Sequence, residues 1–330
     1  MKPVFLRFLI YLVAAGALVS GVSACTKDNA LPTAKKVTPG GNTDDPDDPG
    51  DTPTDEPITL APCTNKVVAH RGGSKEYNCP DNSRQSLRYA MYLKCYASEC
   101  DIYWTKDNNI IIGHADSYIK INNLHPYQHT VDELRKAGKL KNGEELPTLD
   151  DFLDIVMVKG NCTKLLLDIK NTVSDDPKDN DNNASAKKAV QRACEIIHER
   201  KAEQWCEFIC TGYEAVASVA AQCLKAYGIP IGWMANVAAS YCKSKGFTWA
   251  NLCAASAMTP YGSGTRTIDQ FINAGLELSI FNIDKQSGDS NAVYSDEAVA
   301  YYVSNYSRLR FLCTNYPSWL LAKVKDKPIN

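Results

Sequence analysis

The chain has 330 residues, of which 44% are hydrophobic and 22% charged, and a formal net charge of -2 at pH 7. That apolar share supports a large packed core, and the near balance of charge leaves no basic footprint for nucleic acid. The length excludes a small scaffold held together by disulfides, despite 13 cysteines.

At the start of the chain, Lys2 and Arg7 precede an apolar run from Phe8 to Val22, and small residues lead to Cys25. This pattern predicts a secretory signal over 1–24, not a spanning helix. Val22-Ser23-Ala24-Cys25 fits a bacterial lipobox, in which the cysteine is lipidated and becomes the new N-terminus. Cys25 is therefore the expected lipid anchor, with an ordinary cleaved signal as the alternative. The next stretch, 26–57, holds six of the 16 prolines and eight acidic residues, with almost no large apolar side chains. Such a segment buries too little surface to offset its ordering entropy, so 25–57 reads as a disordered, acidic, Pro-rich tether. Together these segments predict export and attachment to the membrane of the cell envelope, on its periplasmic or cell-surface face.

The signal and tether carry five basic and eight acidic residues, which leaves the 273 residues of 58–330 with a formal charge of +1. Short apolar runs there alternate with longer amphipathic stretches. Val67-Val68-Ala69 precedes Ser83 to Tyr92, Leu165-Leu166-Leu167 precedes Ala184 to Arg200, and Phe208-Ile209-Cys210 precedes Tyr213 to Tyr227. Further runs fall at Ser98 to Trp104, Ile229 to Met234, Asn251 to Ala255, Leu276 to Phe281 and Leu309 to Cys313. Eight strands alternating with helices predict an α/β fold, a (β/α)8 TIM barrel with a small insertion after the second strand. Catalytic groups are then expected where the strands end, on the C-terminal face.

The first strand ends in His70-Arg71-Gly72-Gly73, a proton-transfer group beside an anion clamp. In Ser98-Glu99-Cys100-Asp101, alternation points Glu99 and Asp101 to one face and Cys100 to the other. Two inward carboxylates repel each other and resist ionisation, which a divalent cation between them relieves. After a turn at Lys106 to Asn109, the run Ile110 to Ile112 returns to His114. Asp168 and Lys170 share a face of the next strand, where a carboxylate completes a cation site and an ammonium neutralises phosphate.

In this order the residues resemble the glycerophosphodiester phosphodiesterase family. The matching motifs are His70-Arg71-Gly72, Pro80-Asp81-Asn82-Ser83, Glu99-Cys100-Asp101, Thr105-Lys106-Asp107-Asn108, His114, Pro147-Thr148-Leu149, Asp168-Ile169-Lys170 and Thr314-Asn315-Tyr316-Pro317. The resemblance implies hydrolysis of glycerophosphodiesters to sn-glycerol 3-phosphate and an alcohol, with Ca2+ or Mg2+ as cofactor. It implies Glu99, Asp101 and Asp168 as metal ligands, His70 and His114 as the catalytic proton-transfer pair with either serving first as base, and Arg71 and Lys170 as the phosphate grip.

Three positions depart from the family pattern. Asp168 stands where the family has Glu, Ala115 follows His114 where the family has Asp, and Ser279-Ile280 replaces Trp-Thr. The last change is expected to open or reshape the pocket, and the orienting partner of His114 is expected to be missing or replaced by Asp116. The insertion from about 116 to 159 is expected to cover the barrel mouth, with Tyr127 in that cover. His125 and His129 flank Pro126 and read as surface residues, as does His198. Some disulfides are expected, with several cysteines, among them Cys253 and Cys313, as plain buried thiols. Two other functions compete: a phospholipase D-like or sphingomyelin-cleaving enzyme on the same barrel, and a surface binding lipoprotein without catalysis.

Overall fold

A computed structural model of the chain describes residues 58–114, 124–170, 184–210, 214–234 and 236–329. Signal, Cys25 and tether all lie outside these residues, as do Ala115 and Asp116.

Eight parallel strands form a closed barrel: β1 (Val67–Ala69), β2 (Ala97–Trp104), β4 (Lys164–Ile169), β5 (Cys206–Cys210), β6 (Ile231–Trp233), β7 (Trp249–Cys253), β8 (Glu277–Phe281) and β9 (Leu312–Thr314). Closure comes from β1, which pairs with β2 on one side and β9 on the other. The remaining strand, β3 (Ile110–Ile112), runs antiparallel to β2 outside the ring. The helices follow in chain order: α1 (Ser74–Tyr77), α2 (Arg84–Tyr92), α3 (Val131–Ala137), α4 (Leu149–Val156), α5 (Ala184–Glu199), α6 (Glu214–Tyr227), α7 (Ala239–Ser244), α8 (Ile268–Asn273), α9 (Asp296–Ser304) and α10 (Pro317–Val324).

Local chemistry sets several helix starts. Ser83, Thr130, Thr148 and Thr267 each cap the helix that follows, accepting a hydrogen bond from the backbone N–H three residues on, which satisfies an otherwise orphaned donor. Period-two alternation sorts the strand residues. Cys100, Ile102, Leu165 and Leu167 pack outward against the helices, while Val68, Leu166, Ile209, Trp249 and Phe311 fill the barrel interior.

The N-terminal floor of the barrel is polar. Glu207 is 1% exposed and is held by Lys164 Nζ at 2.6 Å, Arg310 Nη2 at 3.0 Å and the Tyr96 hydroxyl. Burial raises a carboxyl's pKa, but here Arg310 and Lys164 overrule it and hold Glu207 below the usual range.

Three expectations need correction. All twelve cysteines among the described residues are free thiols, most of them buried in strands or helices among apolar side chains, so the expected bridges are not formed there. The described part of the insertion does not cover the mouth. Instead, Val131, Leu134, Leu140 and Leu146 form a separate small core with Tyr103 and Ile111 on the flank of the β2–β3 ribbon, and Tyr127 packs against the His125 ring. Finally, Ser279 does not widen the interior. The indole of Trp249 occupies the room it leaves, donating Nε1–H to Ser279 Oγ at 2.8 Å. Its rings lie so close to Gly232 that a Cβ there would sit 2.6 Å from an indole carbon. His198, as expected, is exposed and paired with Glu203.

Candidate active site

The site begins with a backbone turn. After β1 the chain coils through His70–Gly73, with Arg71 at φ 49°, Gly72 at 77° and Gly73 at 74°. A Cβ on Gly72 would lie 2.5 Å from Ser86 Oγ and one on Gly73 2.6 Å from Pro317, so this tight turn requires glycine at both positions. The turn points the Arg71 N–H at Glu99 Oε2, 2.9 Å away.

Glu99 and Asp101 rise from β2 and Asp168 from β4, where Asp101 and Asp168 are register partners. All three are buried, and each offers an oxygen within 4.8 Å of the others. Burial first, then repulsion from Asp101 and Asp168, pushes Glu99 well above the usual carboxylate range. Burial likewise pushes Asp168 up to about 6. Asp101 is the exception: Lys170 and Arg71 outweigh its burial and hold it far below. Asn82 steadies Asp101, donating Nδ2–H to Oδ2 at 2.8 Å and accepting from its backbone N–H at 3.2 Å.

Arg71 and Lys170 are brought to this cluster. Arg71 Nη1 donates to Asp81 Oδ2 at 2.8 Å, and its Nε lies 3.5 Å from Asp101 without a hydrogen bond among the described residues. Lys170 Nζ sits 3.0 Å from Asp101 Oδ1 and also pairs with Asp168. Asp168 Oδ1, though buried, has no hydrogen-bond partner among the described residues. Three converging hard oxygen donors, two of which carry a buried oxygen without a hydrogen bond among the described residues, fit an oxygen-preferring divalent cation such as Ca2+ or Mg2+.

His70 is fixed from behind. Its Nδ1 lies 2.8 Å from Asn315 Oδ1, while Asn315 Nδ2 donates to Asp284 Oδ2 at 2.8 Å and to Asp289 Oδ2 at 2.9 Å. With both amide hydrogens committed to carboxylates, the amide oxygen must face the imidazole. The network thus assigns the proton to Nδ1 and leaves Nε2 as an acceptor, 3.9 Å from Glu99 Oε2. Burial, with Arg71 beside it, lowers the His70 pKa and favours the neutral ring.

A cavity of about 370 Å³ opens at the C-terminal end of the strands, lined by His70, Arg71, Glu99, His114, Asp168 and Lys170 among others. The structure thus gathers six of the seven expected site residues on one cavity wall, with Asp101 just behind them. Sequence reasoning did not single out Asn82, Asn315, Asp284 or Asp289 as functional. Asn82 and Asn315 lay inside quoted motifs, whereas nothing in the local pattern marks Asp284 or Asp289.

Comparison with known proteins agrees with this picture. The model of the glycerophosphoryl diester phosphodiesterase family matches residues 70–221. A glycerophosphodiester phosphodiesterase of Caldanaerobacter subterraneus subsp. tengcongensis is 30% identical over 98 residues, and the match spans 27% of this chain and 40% of that protein. Among solved structures, a glycerophosphodiester phosphodiesterase from Parabacteroides distasonis superposes with a TM-score of 0.63 at 20% identity, covering 81% of this chain and 99% of the other. An Oleispira antarctica phosphodiesterase, solved with the product sn-glycerol-3-phosphate, gives 0.57 at 19% identity, covering 80% and 98%. These two structures establish the likeness of fold.

Proposed function

We propose that the chain, whose residues 70–221 match the model of the glycerophosphoryl diester phosphodiesterase family, is a member of that family and hydrolyses glycerophosphodiesters to sn-glycerol 3-phosphate and an alcohol. The observation that carries this reading is the joint placement of a neutral, oriented His70, a buried carboxylate triad and two cations around one cavity.

In this reading Glu99, Asp101 and Asp168 hold a divalent cation. When bound, the cation supplies positive charge against the non-bridging oxygens as negative charge gathers there. Arg71, with its Nε–H uncommitted, and Lys170 add fixed positive charge on the same side, favouring the transition state over the ground state. His70 Nε2 takes the proton from the attacking hydroxyl, and the resulting imidazolium is stabilised through Nδ1–H to Asn315. The attacking hydroxyl is the substrate's own glycerol hydroxyl, giving a cyclic phosphate that water then opens. His114 gives a proton to the departing alkoxide. Each proton transfer is worth about 10²–10⁴-fold.

The N-terminal reading belongs to the same proposal. Export through the signal 1–24 and lipidation at Cys25 would hold the barrel at the envelope membrane on an extended tether.

Product analysis tests the reading. Purified protein incubated with glycerophosphocholine should release sn-glycerol 3-phosphate and choline, and His70→Ala should reduce the rate by at least about 10²-fold. Release of phosphocholine and glycerol, or an unchanged rate in the variant, would refute it.

A further inference from the structure

We propose that a second cleft, on the outer side of His70 and Arg71, binds the leaving alcohol and selects one that is polyhydroxylated. This inference rests on the diesterase reading above. The cleft has a volume of about 610 Å³ and lies between the segment 74–81 and the loop 288–291. It shares His70, Arg71 and His114 with the central cavity. A phosphodiester has two arms, so a phosphate gripped at the shared residues extends one arm into each space.

Chemistry decides which arm goes where. The attacking glycerol hydroxyl must reach His70 Nε2, which faces Glu99 in the central cavity. The departing alcohol therefore occupies the outer cleft, where His114 also borders.

The lining then limits that alcohol. Among the described residues, no aliphatic side chain larger than Cys79 and no aromatic one other than the two histidines lines the cleft, so these residues offer an acyl chain no apolar surface to bury. A quaternary ammonium finds no aromatic cage among these residues either, and the Tyr316 ring already carries the Lys75 ammonium 5.6 Å from its centroid. The two acids in the cleft are engaged: Asp81 by Arg71 and Ser74, Asp289 by Asn282 and Asn315. Lys75, Asn78, Ser290 and Asn291 supply the remaining polar groups, and Lys75 forms no ion pair among the described residues. An exposed ammonium, amides and a hydroxyl suit a ring or chain of hydroxyls.

The test compares kcat/KM for glycerophosphoinositol and glycerophosphocholine in wild type and in Lys75→Met. Lys75 is exposed, so the variant should fold, and matching thermal melts verify this. Wild type should favour the inositol diester by about tenfold, the worth of one or two hydrogen bonds. Lys75→Met should lose about that factor on the inositol diester and less than about twofold on the choline diester. Equal rates on the two diesters in wild type, or equal losses in the variant, would overturn the cleft assignment while leaving the hydrolase intact. Failure of wild type to cleave either diester would instead overturn the hydrolase reading, and this one with it.

Discussion

Asn315 sets how His70 is presented, because its amide hydrogens are taken by Asp284 and Asp289 and only its oxygen is left for the imidazole. Replacing it with alanine removes the acceptor that fixes the tautomer. Asn315→Ala should lower kcat by about 10–100-fold, the usual cost of losing an orienting partner, with KM changed less than about twofold because its amide is committed to His70, Asp284 and Asp289. Steady-state kinetics check this, and a kcat within experimental error of wild type would show that His70 holds its orientation without the amide. This residue marks where sequence reading stops. Glu99 and Asp101 were legible because strand alternation alone points both inward. The role of Asn315 depends on residues 245, 31 and 26 positions away that meet only once the barrel closes. Its partner Asp289 sits in a Gly-Asp-Ser turn that looks like any surface loop.

Among elements, the strands and helices were read well, since every one of the eight barrel strands falls within or beside an apolar run bounded by turn residues. What the pattern could not supply was compensation between neighbouring strands. Ser279 alone suggests a hole, but β7 places Trp249 beside it and β6 places Gly232 beneath the indole, so three strands trade volume at constant packing. Glu207 on β5 was missed for a related reason: a carboxylate in an apolar run makes sense only once Lys164 on β4 and Arg310 just before β9 are seen around it. Breaking that buried cluster is costly, so Glu207→Gln should destabilise the barrel by about 3 kcal/mol at pH 7. The pH dependence has a definite sign. The folded Glu207 pKa is depressed, so its stabilising effect is present above the unfolded carboxyl value of about 4.3 and is lost as pH falls through the folded value. Denaturant melts of the two proteins should therefore differ fully at neutral pH and converge in acid. A gap that is constant across pH would show that the charge is not what matters.

For the whole molecule, the barrel followed from strand count and motif order, while the described part of the insertion lies on the flank and not over the mouth. Its helix α3 packs on the β2–β3 ribbon because Tyr103 and Ile111 present an apolar surface there, which no one-dimensional pattern reveals. The N-terminal proposal concerns the full chain: palmitate labelling in a bacterial host should be lost in Cys25→Ala, with the variant released from the membrane fraction, whereas unchanged labelling would rule out that anchor. The central claim is that a buried carboxylate triad holding a divalent cation works with His70 on a phosphodiester. Its most direct test is glycerophosphodiester hydrolysis by wild type and Asp101→Asn, each assayed after EDTA treatment and again after Mg2+ or Ca2+ is restored. Wild-type release of sn-glycerol 3-phosphate should vanish with EDTA and return with the ion, and Asp101→Asn should stay inactive throughout. Wild-type activity that survives EDTA, or an Asp101→Asn variant as active as wild type, would contradict the account.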